Sequence, residues 1–179
     1  MLLDDILTVG RLENGKVDCN PKNLNVKLFF DKIVETIIKS GRNTHLIDLS
    51  EIPENLMFFV DEKLAINIFN NLLTNAVKFS PNAQKIEVKV NETIDGVNIT
   101  IIDFGIGISK SDLEKIFEPF QRGQNVETIQ GTGLGLAIVK NSVELHGGFI
   151  KIDSILDKGT TILICLPKEN IKNDLHDNL

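Results

Sequence analysis

Three short segments carry residue types whose spacing suits chemistry. The first is GTGLGLAIVK, Gly131 to Lys140, in which three alternating glycines give way to an apolar-periodic run. Thr132 is of a type that caps a helix, and Gly133 and Gly135 leave the first backbone N–H groups uncovered. Bare N–H donors at the positive end of a helix dipole bind anions, phosphate above all. The second is the stretch Asp61–Lys78. On a helical wheel Asn67, Asn71, Asn75 and Lys78 share one narrow arc, flanked by Asn70 and Thr74. Ala65, Phe69, Leu72, Leu73 and Ala76 lie opposite. Asparagine is a poor helix former, and a merely solvated face would carry Glu and Lys, so this amide stripe reads as functional. An amide oxygen can bind a hard cation such as Mg²⁺ without adding charge that repels a polyphosphate, and Lys78 can meet a phosphate as a point charge. The third is Asp103-Phe104-Gly105-Ile106-Gly107, where a carboxylate ends the alternating run Val97, Ile99, Ile101. Two glycines after it let a ligand pack against the loop backbone.

The elements that must position these residues follow from periodicity and punctuation. Helices are expected over Met1–Leu12, Asn25–Ser40, Asp61–Lys78, Ser109–Phe117 and Gly133–His146. Strands are expected over Thr44–Leu49, Leu56–Val60, Lys85–Asn91, Val97–Asp103, Phe149–Leu156 and Thr160–Leu166, with a short one at Lys16–Asn20. Helices mixed with hairpins, without regular βαβ alternation, predict an α/β (α+β) two-layer sandwich: a mixed, mostly antiparallel sheet covered by helices on one face. The expected division is 1–15 as the end of a longer helix, 16–167 as the main domain, and 168–179 as a polar tail.

Composition narrows the function classes. The 179 residues carry a net charge of −6, which argues against a nucleic-acid footprint and against direct attraction to an anionic membrane. The apolar runs are strand-sized, too short to span a bilayer, and the acidic N-terminus lacks a secretory signal. Two isolated cysteines, Cys19 and Cys165, make neither a metal pattern nor a disulfide framework, so a reducing, cytoplasmic setting is expected. Known nucleotide signatures of other kinds fail. No Walker lysine loop occurs, Leu136 stands where a dinucleotide loop needs its last glycine, and the Asp-Phe-Gly triplet lacks the catalytic loop of Ser/Thr/Tyr kinases.

Taken together, NLLTNAVKFS (Asn71–Ser80), DFGIGI (Asp103–Ile108), FEPF (Phe117–Phe120) and GTGLGLAIVK with the later HGG (Gly131–Gly148) resemble the ordered boxes of the ATP-binding catalytic domain of bacterial sensor histidine kinases. This is the Bergerat-type fold shared with gyrase B, Hsp90 and MutL. The resemblance covers roughly residues 24–167, and LLDDILTVGRLENGK resembles the end of a dimerisation and phosphoacceptor helix. It implies that Asn75 binds Mg²⁺, that Asn71 and Lys78 meet the phosphates, and that these three are the catalytic residues. It implies that Asp103 accepts from the adenine amino group and that Phe79 packs at the nucleotide. Gly105 and Gly107 give the nucleotide room. Gly131, Thr132, Gly133, Leu134, Gly135 and Leu136 surround the phosphates, and Ile108, Phe117 and Arg122 contribute from an ATP lid spanning 108–130.

The implied reaction is transfer of the γ-phosphoryl group of Mg-ATP to a histidine of the phosphoacceptor domain, the direct partner, with a cognate response regulator further on. His45, His146 and His176 lack the acidic neighbour and downstream proline of a phosphoacceptor histidine, so the nucleophile is expected on another domain. Hydrolytic relatives carry a glutamate one turn before the magnesium asparagine. Asn71 stands there instead, which predicts weak ATP hydrolysis. A conformational ATPase of the Hsp90 or MutL type and a degenerate binding module are the competing readings. The first conflicts with Asn71 and FEPF, the second with the intact boxes.

Overall fold

The computed structural model describes residues 2–13, 15, 17–40, 45–81, 83, 85–121, 123 and 131–168. Five strands form one sheet in the order β2 (Leu46–Glu51), β4 (Lys85–Glu92), β5 (Gly96–Asp103), β7 (Gly159–Pro167), β6 (Phe149–Ile155). Only β2 and β4 run parallel; the other pairs are antiparallel. The remaining strands, β1 (Lys22–Asn25) and β3 (Met57–Val60), form a separate antiparallel pair. The short strand expected at Lys16–Asn20 is not formed. Val17–Asn20 is irregular, and pairing starts at Lys22, where the main chain meets β3.

Burial alternates along the sheet. Ile86, Val88, Val90, Val97, Ile99, Ile101, Ile162, Ile164 and Leu166 are buried on one face, as a period of two requires when one side meets a core. Helices α2 (Val26–Lys39), α3 (Glu62–Phe79) and α5 (Gly135–Leu145) supply the other half of that core. Phe69 of α3 packs edge-on against Phe29 and Phe30, at centroid separations of 5.8 and 4.8 Å. Truncating so large a buried ring to alanine costs about 3–5 kcal/mol. The open face carries charge instead. Lys85 bridges Asp48 and Glu87, and Lys89 bridges Glu51 and Glu87.

The central helix shows why its sequence folds where it does. Asp61 is its N-cap, accepting from the N–H groups of Lys63 and Leu64. Leu64, Ala65, Ile68, Phe69, Leu72, Leu73 and Ala76 are buried at three- and four-residue spacing. The last turn of α5 locks onto the same cap. His146, almost wholly buried, accepts the Asp61 N–H on Nε2 at 2.9 Å, which puts its proton on Nδ1, facing the Ser142 carbonyl at 2.7 Å.

Two helical expectations run too long. Ser109 does cap a helix, but α4 covers only Lys110–Leu113, followed by turns. The glycine-led helix begins at Gly135 with Leu134, not Thr132, at the cap position and no side-chain cap bond. The Thr132 hydroxyl still accepts from Leu134 N–H at 3.3 Å, two residues ahead of the helix. The helix α1 (Leu2–Glu13) packs Val9 and Leu12 against Leu64, Leu134 and Ile138. Among the described residues no helix is long and apolar enough to cross a membrane.

Burial holds the His146 imidazole below its ordinary value, outweighing the Ser142 bond and the nearby Asp61 charge. Its folded form therefore refuses a proton that the unfolded chain accepts below about pH 6.5. Stability should fall as pH drops through that value and level off below the depressed folded value. His146→Gln should reduce this loss. Thermal melts of both proteins between pH 5 and 8 test this, since each kcal/mol shifts Tm by about 2–4 °C at this size.

Candidate functional site

The amide stripe lies on the half-exposed side of α3. Asn71 is braced by Nδ2 donating to the Asn67 carbonyl at 2.9 Å, and Thr74 bonds back to the Asn70 carbonyl at 2.6 Å. Facing it is the first turn of α5. A Cβ built on Gly135 would lie 2.8 Å from Asn71 Oδ1 and 4.0 Å from Asn75 Nδ2, and one on Gly131 would lie 2.8 Å from Lys78 Nζ. Residues 53 to 64 positions apart in the chain thus meet at one cleft. Lys78 Nζ sits 4.6 Å above the Phe79 ring, a cation–π contact that holds the ammonium beside the glycine turn.

The first intrahelical bond of α5 runs from Ile138 N–H to the Leu134 carbonyl. The N–H groups of Gly135, Leu136 and Ala137 precede it, and no side chain caps them. These are the free donors that the sequence pattern calls for at an anion site. Leu134 differs from expectation. Its side chain is fully buried among Val9, Leu12, Leu64 and Ile138, so it has only backbone to offer a ligand.

The carboxylate end of the site is built by the end of α3 closing on the end of β5. Asp103 is buried. Its Oδ1 accepts from Gly105 N–H at 2.9 Å and from the Ser80 hydroxyl at 3.2 Å. Ile106 N–H donates to the Phe79 carbonyl at 3.0 Å. A Cβ at Gly105 would fall 2.1 Å from that carbonyl oxygen, so no larger residue allows this approach. Gly107 has φ +64° and lies against the Ile155 carbonyl. Ile108 N–H is taken by the buried Ser154 hydroxyl at 2.9 Å. Burial pushes the Asp103 carboxyl above its ordinary value, against the pull of the Gly105, Ser80 and Thr160 bonds. Ser80 is the site residue that sequence reasoning missed. Its signal was a polar side chain directly after the amide helix, read only as a helix end.

The lid residues divide. Phe120 adopts φ +65° and donates its N–H to the Gly133 carbonyl at 3.1 Å, fixing the FEPF turn to the glycine run. Phe117 lines a groove of about 400 Å³ with Ala137, Lys140 and Asn141 on α5, apart from the amides and Asp103. Arg122 and residues 124–130 of the expected lid lie outside the described residues. Among the described residues no cluster of three or more His, Cys, Asp or Glu could hold a metal; Asn71 Oδ1 is the amide oxygen that faces the glycine turn.

Residues 60–170 match the family model described as histidine kinase-, DNA gyrase B- and HSP90-like ATPase. The chain is 32% identical over 178 residues to the sensor histidine kinase WalK of Bacillus subtilis, covering 97% of this chain and 29% of that protein. It is 35% identical over 178 residues to a WalK of Staphylococcus aureus, covering 96% and 42%. It therefore spans well under half the length of these relatives. Among solved structures, full-length ShkA in complex with AMPPNP superposes with a TM-score of 0.75 at 23% identity, covering 95% of this chain and 36% of that one. This chain belongs to the histidine kinase-, gyrase B- and HSP90-like ATPase family, as an ATP-binding catalytic domain of the sensor histidine kinase kind.

Gly135→Ala isolates ligand space from fold. Alanine is the better helix former, and the only atom a Cβ would meet under 3 Å is Asn71 Oδ1, the end of a side chain that can turn aside. Tm should hold or rise slightly, whereas ATP affinity, read by calorimetry, should fall at least about tenfold, one hydrogen bond to a charged group being worth that much. Unchanged affinity would remove Gly135 from the phosphate site.

Proposed function

We propose that this chain binds Mg-ATP in the cleft between α3 and α5 and directs its γ-phosphoryl group to a histidine imidazole on the phosphoacceptor domain of a sensor kinase. What carries the reading is that the glycine turn faces both Asn71 and Lys78, that Lys78 lies over Phe79, and that the adjoining Ser80 bonds Asp103. One end offers bare N–H donors for phosphate. The other offers a buried acceptor for an exocyclic amine. The Asn75 amide, beside Asn71, would hold the cation. When bound, Mg²⁺ would neutralise polyphosphate charge. The likeness to ShkA, solved with AMPPNP, supports the same occupant.

The protein's part in such a reaction is placement and charge compensation. Lys78 would hold a polyphosphate oxygen. The first N–H groups of α5 would orient the polyphosphate, and Asp103 would fix the base so that the terminal phosphoryl group points out of the cleft. Asn71 has no basicity, so water bound there gains no general base. That disfavours hydrolysis and leaves the phosphoryl group for an incoming imidazole. The response regulator follows one step later, through the full kinase, in the cytoplasm.

Asn75→Asp should lower Mg-ATP affinity by about 100-fold or more, since it sets a second negative charge beside the polyphosphate. Calorimetry with and without Mg²⁺ reads this, and an unchanged metal dependence would refute the assignment. The proposal itself is tested by mixing this chain, radiolabelled ATP and the isolated phosphoacceptor domain of its parent kinase. Acid-labile, base-stable label on that domain is the expected result. A domain that stays unlabelled while ATP binds would reduce the chain to a nucleotide-binding module.

A further inference from the structure

We propose that Ser80 is the positioning residue of the adenine site: its hydroxyl fixes the Asp103 carboxylate in the rotation that leaves one acceptor for an exocyclic amine. This rests on the reading of Asp103 as the purine acceptor. Ser80 follows the last turn of α3 and is fully buried. Its hydroxyl carries one proton, and that proton is given to Asp103 Oδ1 at 3.2 Å. Gly105 N–H donates to the same oxygen at 2.9 Å, so both observed donors fall on Oδ1. A carboxylate offers about four lone-pair sites. Two donors occupy Oδ1 and leave Oδ2 to accept an amine N–H. A purine with a carbonyl at that position would set acceptor against acceptor and leave buried polar groups unpaired.

Ser80 is held where it can do this. Its carbonyl accepts from His45 Nε2 at 2.6 Å and from Ala83 N–H at 3.0 Å. The preceding carbonyl, of Phe79, accepts from Ile106 N–H. A Cβ at Gly105 would come within 2.5 Å of Ser80 Oγ, so the hydroxyl and the purine loop are fitted to each other. The Ser80 and Gly105 bonds also pull against the burial that favours the protonated carboxyl. Loss of the Ser80 bond lets the carboxylate rotate and titrate at higher pH.

The test is calorimetric binding of ATP, GTP and Mg-tripolyphosphate to the chain between pH 5 and 8. Ser80→Ala should weaken ATP about tenfold at neutral pH, leave tripolyphosphate unchanged, narrow the ATP-over-GTP preference and move the acid limb of ATP affinity to higher pH. Ser80→Thr should restore most of the loss. Combined with Asp103→Asn, Ser80→Ala should cost less than twofold more, because the two act as a unit. Additive losses in the double variant, or equal losses for tripolyphosphate, would make Ser80 a folding residue only and overturn the proposal. So would wild-type ATP binding by Ser80→Ala. Should Ser80→Ala not fold, Ser80→Cys keeps the volume with a weaker donor and should show the same losses in smaller degree. If Asp103→Asn alone binds ATP as the wild type does, the adenine reading fails first, whatever Ser80 does.

Discussion

Everything in the cleft hangs on the seam where α3 ends against the end of β5. Phe79 carbonyl to Ile106 N–H, and Ser80 hydroxyl to Asp103, join a helix terminus to the end of a central strand across the one residue that permits it, Gly105. Carbonyls at a helix end have no intrahelical partner and must find one elsewhere. Here the loop after β5 supplies it through Ile106 N–H, so a backbone requirement of the helix also shapes the loop. The seam is stiff because both partners are anchored in the same core. Phe69, Leu72 and Ala76 hold the helix, and Ile99 and Ile101 hold the strand. A cleft walled by elements with separate cores would not keep an amide and a carboxylate in register.

The glycine turn is positioned by a different, smaller packing unit. Leu134 is the knob, buried among Leu64 of α3, Ile138 of α5 and Val9 and Leu12 of α1. Thr132 adds a hydroxyl bond to Asp5 of α1 at 3.3 Å. The bare N–H groups are therefore exposed on one side because their neighbours are buried on the other. Adjacent residues satisfy both demands: Gly135 faces the amides and Leu134 the apolar cluster.

Much of this could be read from residue order alone. The apolar stripe Ala65, Phe69, Leu72, Leu73, Ala76 forces α3 to present its amides, and each of those five is buried. The alternation through Val97, Ile99 and Ile101 brings Asp103 to a strand end. What could not be read were partnerships across the chain. β3 follows β2 in the chain, yet pairs with β1, since periodicity reports a face and not a partner. Thr132 reads as a cap, but the glycine after it takes φ +74°, a left-handed turn that delays the helix by two residues. Ser80 is silent because a serine after a helix is ordinary. Only its 23-residue reach to Asp103 gives it meaning.

The composition of the site also follows from charge. The chain carries −6 overall, and a polyphosphate brings several more negative charges. A carboxylate at position 75 would add to that repulsion at close range, where an effective dielectric near 20 makes one like-charge pair at 4 Å cost about 4 kcal/mol. Neutral amides avoid the cost and keep oxygen donors for a cation. Lys78 and the α5 N-terminus supply positive potential without closing the cleft, because the ammonium is pinned over Phe79 and the N–H groups have no side chain to fold over them. Asp103, the one buried carboxylate among the described residues, sits at the far end of the seam. There the bonds from Gly105 and Ser80 counter part of the cost of its burial. The cleft thus keeps its neutral amides and its ammonium beside the glycine turn and its buried carboxylate at the other end of the seam.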